Sequence, residues 1–152
     1  MNQYTQVLNY LNQLAVEAGA KTVTKDAPTD IDLQKQNIYP LVNISIANGG
    51  FTNGQTINFN VLIEAFTIRD INKEVVNDKF YGNDNEVDNH NEMLSIINRM
   101  WTSMYRDFED NLITASENPS FEKVTLDGLN MLDGWELTFA IEVPNVDLNL
   151  CS

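Results

Sequence analysis

The sequence offers little with which to do chemistry: one histidine (His90), one cysteine (Cys151) and nine lysines plus arginines among 152 residues. Catalysis at neutral pH draws on a tunable His, Cys or Lys held beside a partner, and here the His and the Cys have no motif around them. GxSxG, the phosphate loop and GxGxxG are also missing. Neither an enzyme nor a cofactor is expected. A single cysteine excludes an intrachain disulfide and fits a reducing cytoplasm during synthesis. The opening residues lack the cationic and apolar segments of a secretory signal, and no run approaches a membrane span, so no membrane partner is expected. Without secretion, the sequon Asn43–Ile44–Ser45 carries no weight.

Positive charge is scarce as well, leaving a net charge of -13. Arg69, Arg99 and Arg106 are scattered, and Lys21 and Lys25 flank a segment that soon turns acidic. With no basic patch, tight binding to nucleic acid or to an anionic membrane is disfavoured. Hydrophobic residues nevertheless make up 43% and charged residues 20%, ordinary globular usage, so the acids decorate a folded object. The length suits one domain over residues 1–152. Asn accounts for about one residue in seven but is spread through the chain, which argues against a low-complexity tract.

Periodicity supplies the rest. Tyr4, Val7, Leu8, Leu11, Leu14, Ala15 and Ala18 recur at helical steps, predicting a helix over about 2–18 that Gly19 closes. A polar passage follows, with a short strand expected at 21–25. Val42, Ile44 and Ile46 alternate with Asn43 and Ser45, a strand with one wet side. Asn48–Gly49–Gly50 and Asn53–Gly54 bracket Phe51 in an expected extended hairpin tip. The return strand, about 55–69, has Ile57, Phe59, Val61, Ile63 and Ala65 on one face. Leu62, Phe66 and Ile68 on the other predict a second cover, a helix or a neighbouring subunit. Residues 70–88 read as a polar, acidic arm carrying Phe80 and Tyr81. A second helix over about 88–110 presents Met93, Ile96, Ile97, Met100, Trp101, Met104, Tyr105 and Phe108 on a broad apolar face. A strand from about 121 to 126 is expected next, then a turn at Asp133–Gly134. The final strand points Trp135, Leu137, Phe139, Ile141 and Val143 inward and Glu136, Thr138, Ala140 and Glu142 outward. Pro144 ends it, leaving a short tail at 144–152. The expected class is α+β: a mainly antiparallel sheet of two hairpins packed against an N-terminal helix and a long central helix.

Among candidate sites, His90 lies two residues from both Asp88 and Glu92, a spacing that puts them on different helix faces, so a solvated first-turn histidine is expected rather than a metal ligand. The acids Asp78, Asp84, Glu86 and Asp88 lack the ligand spacing of a calcium loop, and no metal site is expected. They are instead candidate surface acids, those next to the helix opposing its positive end. Glu64 sits among apolar residues on the long strand, and Glu136 or Glu142 becomes its partner only if the strands align them.

The order helix, long hairpin, loop, long apolar helix, hairpin, with Ile38-Tyr39-Pro40-Leu41-Val42-Asn43-Ile44 opening the first hairpin and Gly134-Trp135-Glu136-Leu137-Thr138-Phe139-Ala140-Ile141 closing the chain, resembles tail-terminator and head-tail joining proteins of tailed bacteriophages. The Asn-rich idiom looks most like the neck and tail rings of crAss-like phages. The resemblance implies a subunit of a homo-oligomeric ring in the virion neck or tail, assembled in the host cytoplasm. Its implied partners are other neck, portal or tail proteins, and genomic DNA that passes without tight binding. Gly50, Phe51, Asn53, Phe80 and Tyr81 are then candidate contacts between subunits or rings, and Asp78, Asp84, Glu86 and Asp88 candidate lumen acids. A tail-tube or baseplate subunit is the nearest competitor within the virion. From a different class, the acidity also suits a soluble binding module, such as a phage-encoded inhibitor occupying a basic nucleic-acid site on a host protein.

Overall fold

The computed structural model describes residues 3–26, 36–70, 79–82, 84–108, 114–116, 118–127 and 131–145. Helix α1 (Gln3–Ala18) buries Val7, Leu11, Leu14, Ala15 and Ala18 on one stripe. Gly19, at φ 113°, occupies the backbone region that only glycine enters without strain, and the helix stops there. Strand β1 (Thr22–Lys25) pairs in parallel with β2 (Leu41–Thr52), after a short 3-10 turn at Gln36–Ile38. Strand β3 (Thr56–Ile68) returns antiparallel to β2. Helix α2 (Glu86–Asp107) is followed by β4 (Thr114–Ala115), β5 (Ser120–Asp127) and β6 (Met131–Pro144).

The molecule is therefore α+β, a six-stranded and mostly antiparallel sheet with two helices. The sheet runs β1-β2-β3-β6, with β4 and β5 pairing successive parts of the far edge of β6. Period two decides which residues meet the helices. Val42, Ile44, Val61, Ile63, Ala65, Leu137, Phe139, Ile141 and Val143 share one core with the buried faces of α1 and α2. Each large apolar side chain so buried contributes on the order of 1.5–3 kcal/mol. Tyr10 ties the helices together by donating its hydroxyl hydrogen to Asp107 Oδ2 at 2.7 Å. Burial, then the bond to Asp107, pushes this phenol well above its usual range.

Several expectations are corrected. Asp133–Gly134 is not a turn but lies inside β6, where Asp133 is fully buried and pairs with Thr67 while Gly134 pairs with Phe66. A Cβ at Gly134 would collide with the Ala65 carbonyl, so glycine there serves close strand approach rather than chain reversal. Gly49 and Gly50 also belong to a strand, and the reversal is confined to residues 53–55. α2 opens at Glu86, two residues before the expected start at Asp88, so Glu86 leaves the arm, and Tyr105 is 62% exposed rather than on the buried face. On the second side of β3, away from α1 and α2, Phe66 is buried with Tyr39, Leu41 and Leu132 in a small separate cluster. Asn43, expected on a wet face, is buried beside it. Residues 71–78 of the 70–88 arm, including Asp78, and the tail with Cys151 lie outside the described residues.

Candidate functional site

The face of the sheet turned away from α1 and α2 carries a polar row that crosses five strands in register: Thr24 opposite Asn43, Asn43 opposite Glu64, Glu64 opposite Glu136, and Glu136 opposite Glu122. Thr24 Oγ1 donates to Asn43 Oδ1 at 2.7 Å, and Asn43 Nδ2 donates to Glu64 Oε1 at 3.2 Å. The strands thus align Glu64 with Glu136, the condition for partnership set by the sequence, and add Glu122, which the sequence left unmarked. Burial, then the charges of Glu64 and Glu122 and a hydrogen bond with Glu122, raise the Glu136 carboxyl above its usual range. Like charges placed opposite one another weaken a sheet. The row is therefore a concentration of negative potential carried at some cost to stability. Beside it, Tyr39, Leu41, Phe66, Leu126 and Leu132 line a cavity of about 140 Å³ that reaches Asn43 and Glu64.

On the opposite, helix-covered face, Asp133 anchors a second polar group. It has the same strand parity as Trp135 through Val143, so it points toward α2. Arg69, just past β3, donates from Nε to Asp133 Oδ2 at 2.9 Å and from Nη2 to Oδ1 at 2.5 Å. Asn89 Nδ2 bridges Asp133 Oδ2 at 3.2 Å and the Ile68 carbonyl at 3.1 Å. Glu86 Oε1 lies 3.5 Å from Arg69 Nη2. The hydrogen bonds to Asp133, chiefly, hold the Arg69 guanidinium charged above its ordinary range.

His90 is correspondingly not a solvated first-turn residue: it is buried, with Nδ1 3.0 Å from the Glu86 carbonyl and Nε2 3.8 Å from Asp133 Oδ1. Trp135 Nε1 donates to the His90 carbonyl at 2.8 Å and its ring meets the imidazole edge to face. Glu86, His90 and Asp133 each bring a ligand atom within 4.8 Å of the others. The guanidinium of Arg69 already bonds both Asp133 oxygens and neighbours Glu86, filling the place a cation would take. The arrangement is a charge-paired tie between β3, β6 and the start of α2. Continuing the β6 alternation upstream by one step would have revealed Asp133; the Asp-Gly pair masked it as a turn.

Of the candidate contacts, Gly50, Phe51 and Asn53 stay together at the β2–β3 tip, with Phe51 72% exposed and Asn53 in the turn at φ 51°. Phe80 and Tyr81 are exposed and stack edge to face at 5.0 Å. They remain a separate patch. Asp84 and Asp88 also stay near α2, but Glu86 is drawn into the Arg69 tie. The described lumen candidates form no shared row, whereas Glu64, Glu122 and Glu136 do. Neither a protein-family model nor a curated protein sequence matches this chain. Among the described residues, no helix is long and apolar enough to cross a membrane.

Proposed function

We propose that the chain is a structural virion protein, a bacteriophage neck or tail ring subunit of the tail-terminator or head-tail connector kind. It oligomerises around the genome channel and joins capsid and portal to tail. The observation that carries this reading is the carboxylate row on the face of the sheet that no described helix covers. Glu64, Glu122 and Glu136 gain no obvious stability from standing in register, which supports a surface selected for its field. Facing a ring lumen, such a surface repels the phosphate backbone, so the genome slides through without adhering. The fold agrees with the role: the long β2–β3 hairpin and the β5–β6 pair form a sheet backed by an N-terminal and a central helix, leaving the other face for a channel. These sheet acids replace Asp84, Glu86 and Asp88 as the lumen surface.

Partners in this role are further copies of the chain, neighbouring neck, portal or tail proteins, and DNA in transit. Light scattering of the purified chain across a concentration series, with mass spectrometry of purified virions, tests the reading. A discrete ring-sized species together with presence in the virion is expected. A lone monomer at high concentration that is absent from virions contradicts it and favours the acidic inhibitor.

A further inference from the structure

In a chain whose net charge is -13, two surfaces are built from described residues that are themselves uncharged. The first is the β2–β3 tip: no residue from 36 to 63 is charged, Phe51 projects near its end, and the neighbouring carboxylate of Glu142, which accepts from Thr52 at 3.3 Å, lies on the other face of the sheet from Phe51. The second is a groove of about 720 Å³ between α2 and β5, lined among the described residues by Leu94, Ile97, Trp101, Pro119, Phe121 and Leu137, with Asn and Ser besides. They lie towards opposite edges of the sheet, because β2 precedes β3 and β6 in strand order and β5 pairs the far edge of β6.

We infer that Phe51 of one copy seats in the α2–β5 groove of the next. This rests on the ring reading and names its subunit contact. A second copy is the occupant that the charge pattern favours. Two chains of equal negative charge repel, and contact between their acidic surfaces sets like charges together, whereas an uncharged knob and an uncharged groove meet without that opposition. A basic partner would instead dock on the acids, leaving both of these surfaces unused. Knob and groove differ and lie towards opposite edges, so the contact is heterologous, the kind that closes into a ring when the rotation permits. A buried Phe hides roughly 150–250 Å², enough to anchor a larger interface but not to be one.

The test pairs Phe51→Asp, which charges the knob, with the double variant Ser95→Asp and Asn98→Asp, which charges the groove from two exposed α2 positions. Circular dichroism and melting confirm that each variant is folded, and sedimentation reads assembly. Each variant alone should self-associate roughly thirtyfold more weakly, as on loss of one strong anchor. Mixed in equal amounts they should form a 1:1 pair that grows no further, since one intact knob and one intact groove remain. Wild-type-like assembly of the Phe51→Asp chain, or a mixture that stays monomeric, overturns the inference while leaving the ring reading in place. So does loss of assembly on removing residues 146–152 while Phe51→Asp has no effect, which assigns the groove to that segment. A wild-type chain that is monomeric at high concentration defeats the ring reading itself, and this contact with it.

Discussion

Single residues here are governed by what lies across the sheet rather than beside them in sequence. Asp133 is fully buried and bonds Arg69 through both oxygens, so removing its charge strands a guanidinium. Breaking one side of a buried pair costs about 3–5 kcal/mol. For a chain of this length each kcal/mol moves the midpoint by about 2–4 °C. Asp133→Asn should therefore lower Tm by about 6–20 °C, measured by calorimetry.

Glu136 behaves in the opposite way. Its carboxyl holds a proton more tightly in the folded chain than in the unfolded one, so ionising it opposes folding. The stability lost in this way returns as pH falls through the raised value and is complete below the ordinary 4.5. Glu136→Gln should raise Tm at pH 7 by about 1–3 °C, the worth of relieving one or two like-charge neighbours. That advantage should vanish as the pH approaches 4.5. A gap between variant and wild type that does not change with pH would show that Glu136 is not repelled. The burial of His90 against Trp135 and the place of Glu122 beside Glu136 were hidden from the sequence because those partners lie on another element, whereas Asp133 was masked by the Asp-Gly turn signal.

At the scale of elements the sequence was informative wherever hydrophobic periodicity was unbroken. Helix α1, the core face of α2, β3 and the second half of β6 follow from spacing alone, because burial on one side imposes the period. Misreadings gathered at glycines. Gly49, Gly50 and Gly134 suggest reversals, yet all three lie within paired strands, and at Gly49 and Gly134 the missing side chain lets a neighbouring backbone approach. Turn propensity and close strand approach select the same residue, so local sequence does not separate them. Gly134→Ala tests this at β6: its Cβ would meet the Ala65 carbonyl and the Phe66 ring, forcing β3 and β6 apart. A loss of about 1–3 kcal/mol is expected by denaturant unfolding, the usual cost of overpacking. An unchanged midpoint would contradict the close β3–β6 contact.

For the whole molecule, charge is partitioned rather than spread evenly. The face turned away from α1 and α2 bears the row Glu64, Glu136 and Glu122, residues 36–63 and the described lining of the α2–β5 groove carry no charge, and most of the few cations are dispersed. A net charge of -13 alone implies solubility and repulsion from phosphates. Its arrangement adds direction: one face to repel, two opposite edges able to join. The measurement that bears most directly on this account is an electron-microscopy reconstruction of the assembled protein. It should show a closed ring with Glu64, Glu122 and Glu136 lining the bore. A bore that is neutral or basic, with these three acids on the outer rim, would contradict it.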